Sequence, residues 1–136
     1  MFRFVGSDWQ QVGQDLRGTT ANDLFGKSLA LSGDGSIVAC GAPHTIDANG
    51  YFPGIVQIFQ FNGTQWQSLG SPINGFSDGE EFGFSLALSQ DGFTVAVGSR
   101  YFAGTTVKIG RVRVFRLNGT SWGQVGQDLD GIASSD

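Results

Sequence analysis

Three observations predict an all-β fold made of repeated antiparallel sheets. The stretch Phe25-Gly26-Lys27-Ser28-Leu29-Ala30-Leu31-Ser32-Gly33-Asp34-Gly35, followed by Ile37-Val38-Ala39-Cys40-Gly41-Ala42-Pro43, returns as Phe82-Gly83-Phe84-Ser85-Leu86-Ala87-Leu88-Ser89-Gln90-Asp91-Gly92, followed by Thr94-Val95-Ala96-Val97-Gly98-Ser99. Three tryptophans keep step with it: 66 minus 9 is 57, and 122 minus 66 is 56. The 136 residues also hold 22 glycines against 3 prolines with 40% hydrophobic content, so short apolar runs alternate with tight turns and no helical period appears. A fixed period of this length marks units that bury their faces by stacking on one another.

Taken in order, the chain opens inside a unit. Phe2-Arg3-Phe4 matches Phe115-Arg116-Leu117, so residues 1–13 are expected to be the two outer strands of a preceding unit. Residues 14–70 and 71–126 then form two complete units, and residues 127–136 begin another. Gly13, Gly70 and Gly126 follow the tryptophans; Asp23 and Glu80 stand just before the two Phe-Gly positions, and Asp136 falls where the next copy would begin its own.

Turn chemistry divides each unit into about four strands. The first, residues 27–32, alternates Ser28, Ala30 and Ser32 against Leu29 and Leu31, the period of a half-buried strand. Asp34-Gly35 and Asp91-Gly92 predict a tight hairpin into the next strand, Ile37 to Ala42 or Thr94 to Ser99. A loop follows, residues 44–53 or 100–109, and it holds almost all the difference between the copies. Variable loops on a repeated scaffold are where ligands bind, which makes His44, Asp47, Tyr51, Arg100, Tyr101 and Lys108 the candidate contacts. A long strand comes next, residues 55–61 or 111–117. Asn62-Gly63 and Asn118-Gly119 then predict two-residue type I′ turns with φ > 0 at both positions, leading into the tryptophan-bearing strand.

Charge and composition exclude several functions. With 8 Lys+Arg and a net charge of −4 there is no electrostatic footprint for phosphate backbones, so no nucleic-acid partner is expected. Arg111, Arg113 and Arg116 are expected to form a solvated strand face. Cys40 is the lone cysteine, which rules out an intrachain disulfide and a cysteine zinc site and reads as a small buried thiol. His44 is the sole histidine, and neither G-x-S-x-G nor a P-loop occurs. The acids of Asp78-Gly79-Glu80-Glu81 read as a local turn, since of these only Glu80 recurs as an acid, at Asp23 and Asp136. No catalytic, cofactor or metal residue is therefore expected. Met1 to Gly6 lacks a signal-peptide core, and no apolar run approaches the ~18 residues that span a bilayer. Asn62-Gly63-Thr64 and Asn118-Gly119-Thr120 are glycosylation sequons, meaningful only on an export route.

Four-stranded units apolar on both faces are best satisfied as β-propeller blades around an axis, where small residues such as Ala39, Gly41, Ala96 and Gly98 suit the crowded inner strands. Phe25-Gly26 followed by Gly41-Ala42-Pro43 resembles the FG-GAP signature of integrin-α-like β-propellers. The second copy keeps Phe82-Gly83 but has Gly98-Ser99-Arg100 in place of Gly-Ala-Pro. Calcium-binding members of that family carry an acidic loop between the two halves of the signature. Here the loop is cut to one carboxylate each, Asp34 and Asp91, a poor cage for an ion that takes six to eight oxygens. The resemblance implies a cell-surface or extracellular setting. The incomplete unit at each end, with no catalytic constellation found, leads to the expectation of a non-enzymatic piece of a longer propeller presenting variable loops to protein or glycan partners. The alternative is a lectin-like module whose copies assemble the propeller, with Trp9, Trp66 or Trp122 as sugar platforms. Either way the missing neighbouring blades come from the rest of the chain or from other subunits.

Overall fold

The computed structural model describes residues 1–101 and 109–132. Every regular element among them is a strand, and all strand pairs are antiparallel, as the alternation and turn chemistry predict. No helix among the described residues is long and apolar enough to cross a membrane. A two-stranded sheet pairs β1 (Phe2–Val5) with β2 (Asp8–Gln11). A second sheet runs β3 (Ser28–Leu31), β4 (Ile37–Ala42), β5 (Ile55–Phe61) and β6 (Trp66–Ser68), with β7 (Ile73–Asn74) beside β6 on the same edge of β5. The third sheet repeats it with β8 (Phe82–Leu88), β9 (Thr94–Ser99), β10 (Arg111–Asn118), β11 (Ser121–Gln124) and β12 (Leu129–Asp130).

Equivalent residues pair in equivalent register. Phe4 faces Trp9, Phe61 faces Trp66 and Leu117 faces Trp122. The fourth strand of each unit, expected as one piece, is interrupted. Between the Phe59–Ser68 and Val56–Ile73 pairs β5 moves three residues while the returning strand moves five, so two residues bulge out around Gly70. The third sheet has the same two-residue excess between Phe115–Gln124 and Val112–Leu129. Gly70 and Gly126, with φ of 76° and 74°, take the left-handed conformation the bulge requires.

Because successive side chains of a strand point to opposite faces, β4 feeds two cores at once. Ile37 and Ala39 join Val56, Ile58, Phe82, Val95, Val97 and Phe115 between the second and third sheets. Val38 and Cys40 join Trp66 on the other face, covered by Met1, Leu16, Phe25, Phe59 and Phe61. Each such fully buried aliphatic or aromatic side chain contributes about 1.5–3 kcal/mol. Cys40 is the expected buried thiol, its pKa pushed up to about 11 by desolvation. At one edge the second and third sheets approach backbone to backbone. Ser28 Oγ donates to the Gly83 carbonyl at 2.6 Å, and a Cβ on Gly41 would stand 2.1 Å from that oxygen, so only glycine fits.

The tryptophans lock neighbouring sheets together. The Trp66 indole N–H donates to the Val12 carbonyl at 2.9 Å, and the Trp122 indole donates to the equivalent Leu69 carbonyl, also at 2.9 Å. Each ring lies over the glycine that follows, Gly13 or Gly70. Trp66 is 4% exposed, so it has no face for a sugar and is a core residue.

The expected Asp-Gly hairpin forms with four loop residues: Ser32 N–H donates to the Ile37 carbonyl, and Asp34 Oδ1 accepts from Ser32 Oγ, Ser36 N–H and Ser36 Oγ. One turn expectation is corrected. Asn62-Gly63 is not the central pair of its turn. Asn62 closes the hairpin against Gln65, its side-chain oxygen accepts the N–H groups of Thr64 and Gln65, and Gly63 alone has positive φ. A side-chain acceptor thus does locally what a second left-handed residue would otherwise do.

Candidate functional site

The acid ahead of each Phe-Gly position ties the loop end of a unit. Asp23 accepts the N–H groups of Thr19, Thr20 and Phe25 at 2.8–3.2 Å. Glu80, wholly buried, accepts those of Phe76 and Ser77, the Ser99 hydroxyl at 2.8 Å and Arg113 Nη1 at 2.7 Å. The longer glutamate reaches groups that Asp23 cannot.

Arg113 corrects the solvated-strand expectation: it is 1% exposed, Arg111 is 9% exposed, and only Arg116 faces water. Residues 111, 113 and 115 share the strand face that packs on the second sheet, so these two guanidiniums are covered. Their charge is met by acids from flanking segments. Arg113 pairs with Glu80 and with Asp128 at 3.2 Å, and its guanidinium lies 4.4 Å from the Phe76 ring centre. Arg111 pairs with Asp128 at 2.7 Å and forks onto Asp130, holding the Asp130 carboxyl below the usual range.

Beside this network the variable loops converge on Glu81. Its side chain is 17% exposed, with His44 Nε2 at 3.7 Å from Oε1 and Arg100 Nη1 at 3.6 Å from Oε2. Both are ion-pair distances rather than hydrogen bonds, and Oε2 is buried without a hydrogen-bond partner among the described residues. Glu81 also has a φ of 54°, a left-handed conformation uncommon for a side-chain-bearing residue and characteristic of functional loops. His44, Phe52, Gly79 and Glu81 line an open cavity of about 260 Å³. The Arg100 guanidinium stacks on Tyr101 at 4.7 Å and on Phe84 at 5.3 Å, and Lys27 stands 5.4 Å from the same Phe84 ring.

Of the sequence candidates, His44, Arg100 and Tyr101 gather at this end, and Lys108 lies outside the described residues. Asp47 is occupied in holding its own loop: it accepts the N–H groups of Asn49 and Tyr51, chiefly the latter lowering its pKa. Tyr51 and Phe52 stay about half exposed, and the Phe52 N–H is tied to Asp78 at 2.8 Å. Asn62 and Asn118 are exposed. Glu81 was expected only as part of a local turn and not as a binding contact; its signal is the acid immediately after the repeated one, a position where the first copy has Leu24, whose φ of 57° is also positive. Among the described residues no group of three or more His, Cys, Asp or Glu is placed to hold a metal. No family model and no curated protein sequence matches the chain.

Proposed function

We propose that the chain is a segment of a β-propeller whose sheets are blades, and that it is a binding module presenting the loop end around Glu81 to a protein or glycan partner. The observation that carries this reading is the recurrence of one inter-sheet joint. The indole of Trp66 on Val12-Gly13 and the indole of Trp122 on Leu69-Gly70 place each sheet on its predecessor by the same contact. A repeated joint between twisted four-stranded sheets, with glycine at the close-packed edge, is what ring closure at 4–8 blades requires. The FG-GAP-like residues Phe25-Gly26 and Gly41-Ala42-Pro43 agree with it.

Binding is favoured over catalysis by the lining of the cavity. Among the described residues Glu81 is its single carboxylate, whereas glycoside hydrolysis takes a pair. A carboxylate oxygen in want of a donor, a guanidinium, an imidazole and the Phe52 ring suit a hydroxyl-rich ligand. Two measurements test the reading. Three tandem copies of residues 14–126 in one chain are expected to give a compact, cooperatively unfolding monomer by scattering; an elongated particle would refute the blade assignment. A glycan array is expected to give binding that Glu81→Gln and Arg100→Ala remove without loss of fold. Retained binding in both variants would move the site elsewhere.

A further inference from the structure

Residues 124–129, Gln-Val-Gly-Gln-Asp-Leu, are identical to residues 11–16. The earlier copy is the seat of Trp66. Val12 supplies the carbonyl for the indole, Gly13 lies beneath the ring, and Gln14 takes both backbone groups of Trp66, accepting from N–H at 2.9 Å and donating to the carbonyl at 2.7 Å. The later copy is built to the same local geometry. The Gln11 amide donates to the Gly13 carbonyl at 3.2 Å and to Asp15 at 3.0 Å, and the Gln124 amide donates to the Gly126 carbonyl at 3.4 Å and to Asp128 at 2.7 Å. Yet among the described residues nothing sits on it. A Cβ at Gly126 would meet no atom within 4 Å, and Val125 and Leu129 are 51% and 57% exposed where Val12 and Leu16 are half-buried.

The complementary half is carried at the other end of the same chain. Phe4 and Trp9 stack at 5.3 Å across β1 and β2, as Phe61 and Trp66 do at 5.2 Å across β5 and β6, in the same register. Trp66 is 4% exposed in its seat, while Trp9 is 68% exposed with Phe2 and Phe4 beside it. The hairpin of β1 and β2 is therefore a preformed plug, and residues 124–129 are a preformed socket of known fit.

We propose that a second copy of this chain docks head to tail, its Trp9 seated over Gly126 with the indole N–H on the Val125 carbonyl and the backbone of Trp9 held by Gln127. The occupant follows from continuity with the interior joint: the identical socket already holds an equivalent tryptophan hairpin within the chain. The contact is heterologous, so a dimer leaves one plug and one socket open and association continues beyond the dimer. The inference rests on the relation between adjacent sheets and is independent of ring closure.

Sedimentation velocity over a concentration series tests it. The wild-type chain is expected to show concentration-dependent head-to-tail oligomers. Trp9→Ala, Gly126→Ala and Gln127→Ala are each expected to weaken association, the first by at least about thirtyfold, the scale of a buried aromatic anchor. Chemical unfolding should report intact folds for Trp9→Ala and Gln127→Ala, whose side chains are exposed and lie outside the two buried clusters. The decisive arm mixes Trp9→Ala, which keeps its socket, with Gln127→Ala, which keeps its plug: the mixture is expected to form dimers that grow no further. A wild-type chain that stays monomeric, association unaffected by Trp9→Ala, or a mixture no more associated than its components would overturn the proposal. A tandem array that closes while the single chain stays monomeric would defeat this inference and leave the blade reading standing.

Discussion

Arg113→Met separates a buried ion pair from a solvated strand face. The substitution keeps the aliphatic stem but removes the 2.7 Å bond to Glu80 and the 3.2 Å bond to Asp128. Glu80 stays behind with 0% exposure, its hydrogen bonds among the described residues reduced to the Ser99 hydroxyl and the N–H groups of Phe76 and Ser77. Breaking one side of such a pair costs about 3–5 kcal/mol, against total stabilities of about 5–15 kcal/mol. At roughly 4 °C per kcal/mol for a chain of this size, the midpoint should fall by about 12–20 °C. Thermal unfolding followed by tryptophan fluorescence measures the shift, and urea unfolding measures the loss of stability. The control is the double variant Glu80→Gln, Arg113→Met. A neutral glutamine still accepts from Phe76 and Ser77 and pairs with Ser99, so the double variant should recover about 1–3 kcal/mol relative to the sum of the single changes. A loss below about 1 kcal/mol for Arg113→Met, the ordinary range for surface substitutions, would show the guanidinium to be solvated and refute the network.

Two further outcomes are expected. The carboxyls of Asp34 (by the Ser36 N–H and the Ser32 and Ser36 hydroxyls), Asp91 (by the Ser89 hydroxyl) and Asp130 (by Arg111) sit below their ordinary value, Asp34 at about 2. In the window between the unfolded value near 3.8 and about 2 the unfolded chain therefore binds more protons, so stability present above it is lost as pH falls through it. Urea midpoints at successive pH values should show that decline, shallower in Asp34→Asn; a flat profile would contradict it. Gly13→Ala and Gly126→Ala share a left-handed backbone at φ of 69° and 74°, but a Cβ at Gly13 would come 2.7 Å from Trp66 Cδ1 and one at Gly126 meets nothing. Gly13→Ala should thus cost about 1–3 kcal/mol more in dilute protein, and equal losses would mean Trp66 does not lie on Gly13.

The repeat made the strand order and the shared register readable, because period-two alternation and a fixed spacing of Trp66 and Trp122 constrain pairing from both ends. The buried Arg113 was not readable. Its partners Asp128 and Glu80 lie 15 and 33 residues away, and a strand arginine with no acid nearby in sequence looks the same whether it faces water or a neighbouring sheet. The bulge was hidden because Gly70, Ser71 and Pro72 read as an end of strand, when they are an excursion after which Ile73 resumes pairing with Val56. His44 and Arg100 were legible as loop residues, but their meeting was not. It depends on Glu81, whose positive φ turns its side chain between loops of successive units.

The differences between the two units are correlated, and that is informative about what the fold tolerates. Where the second unit has Arg113 the first has Gln57, and the same comparison sets Arg111 against Ile55, Ser99 against Ala42 and Glu80 against Asp23. Any one of these changes alone would strand a polar or charged group in a dry layer. Arg113 needs Glu80, because Asp23 is a methylene shorter and already spends its oxygens on Thr19, Thr20 and Phe25. Ser99 is what satisfies the remaining capacity of Glu80 Oε1. A layer with a single acid, Asp23 beside Ala42, Ile55 and Gln57, and an ionic one thus occupy the same place in successive sheets with the same register on either side. The joint between sheets is consequently held by what both units share, the tryptophan on its glycine and the alternating aliphatic faces. The ionic set specifies instead which loop conformation the second unit presents, since Glu80 anchors the backbone on which Glu81 is turned toward His44 and Arg100.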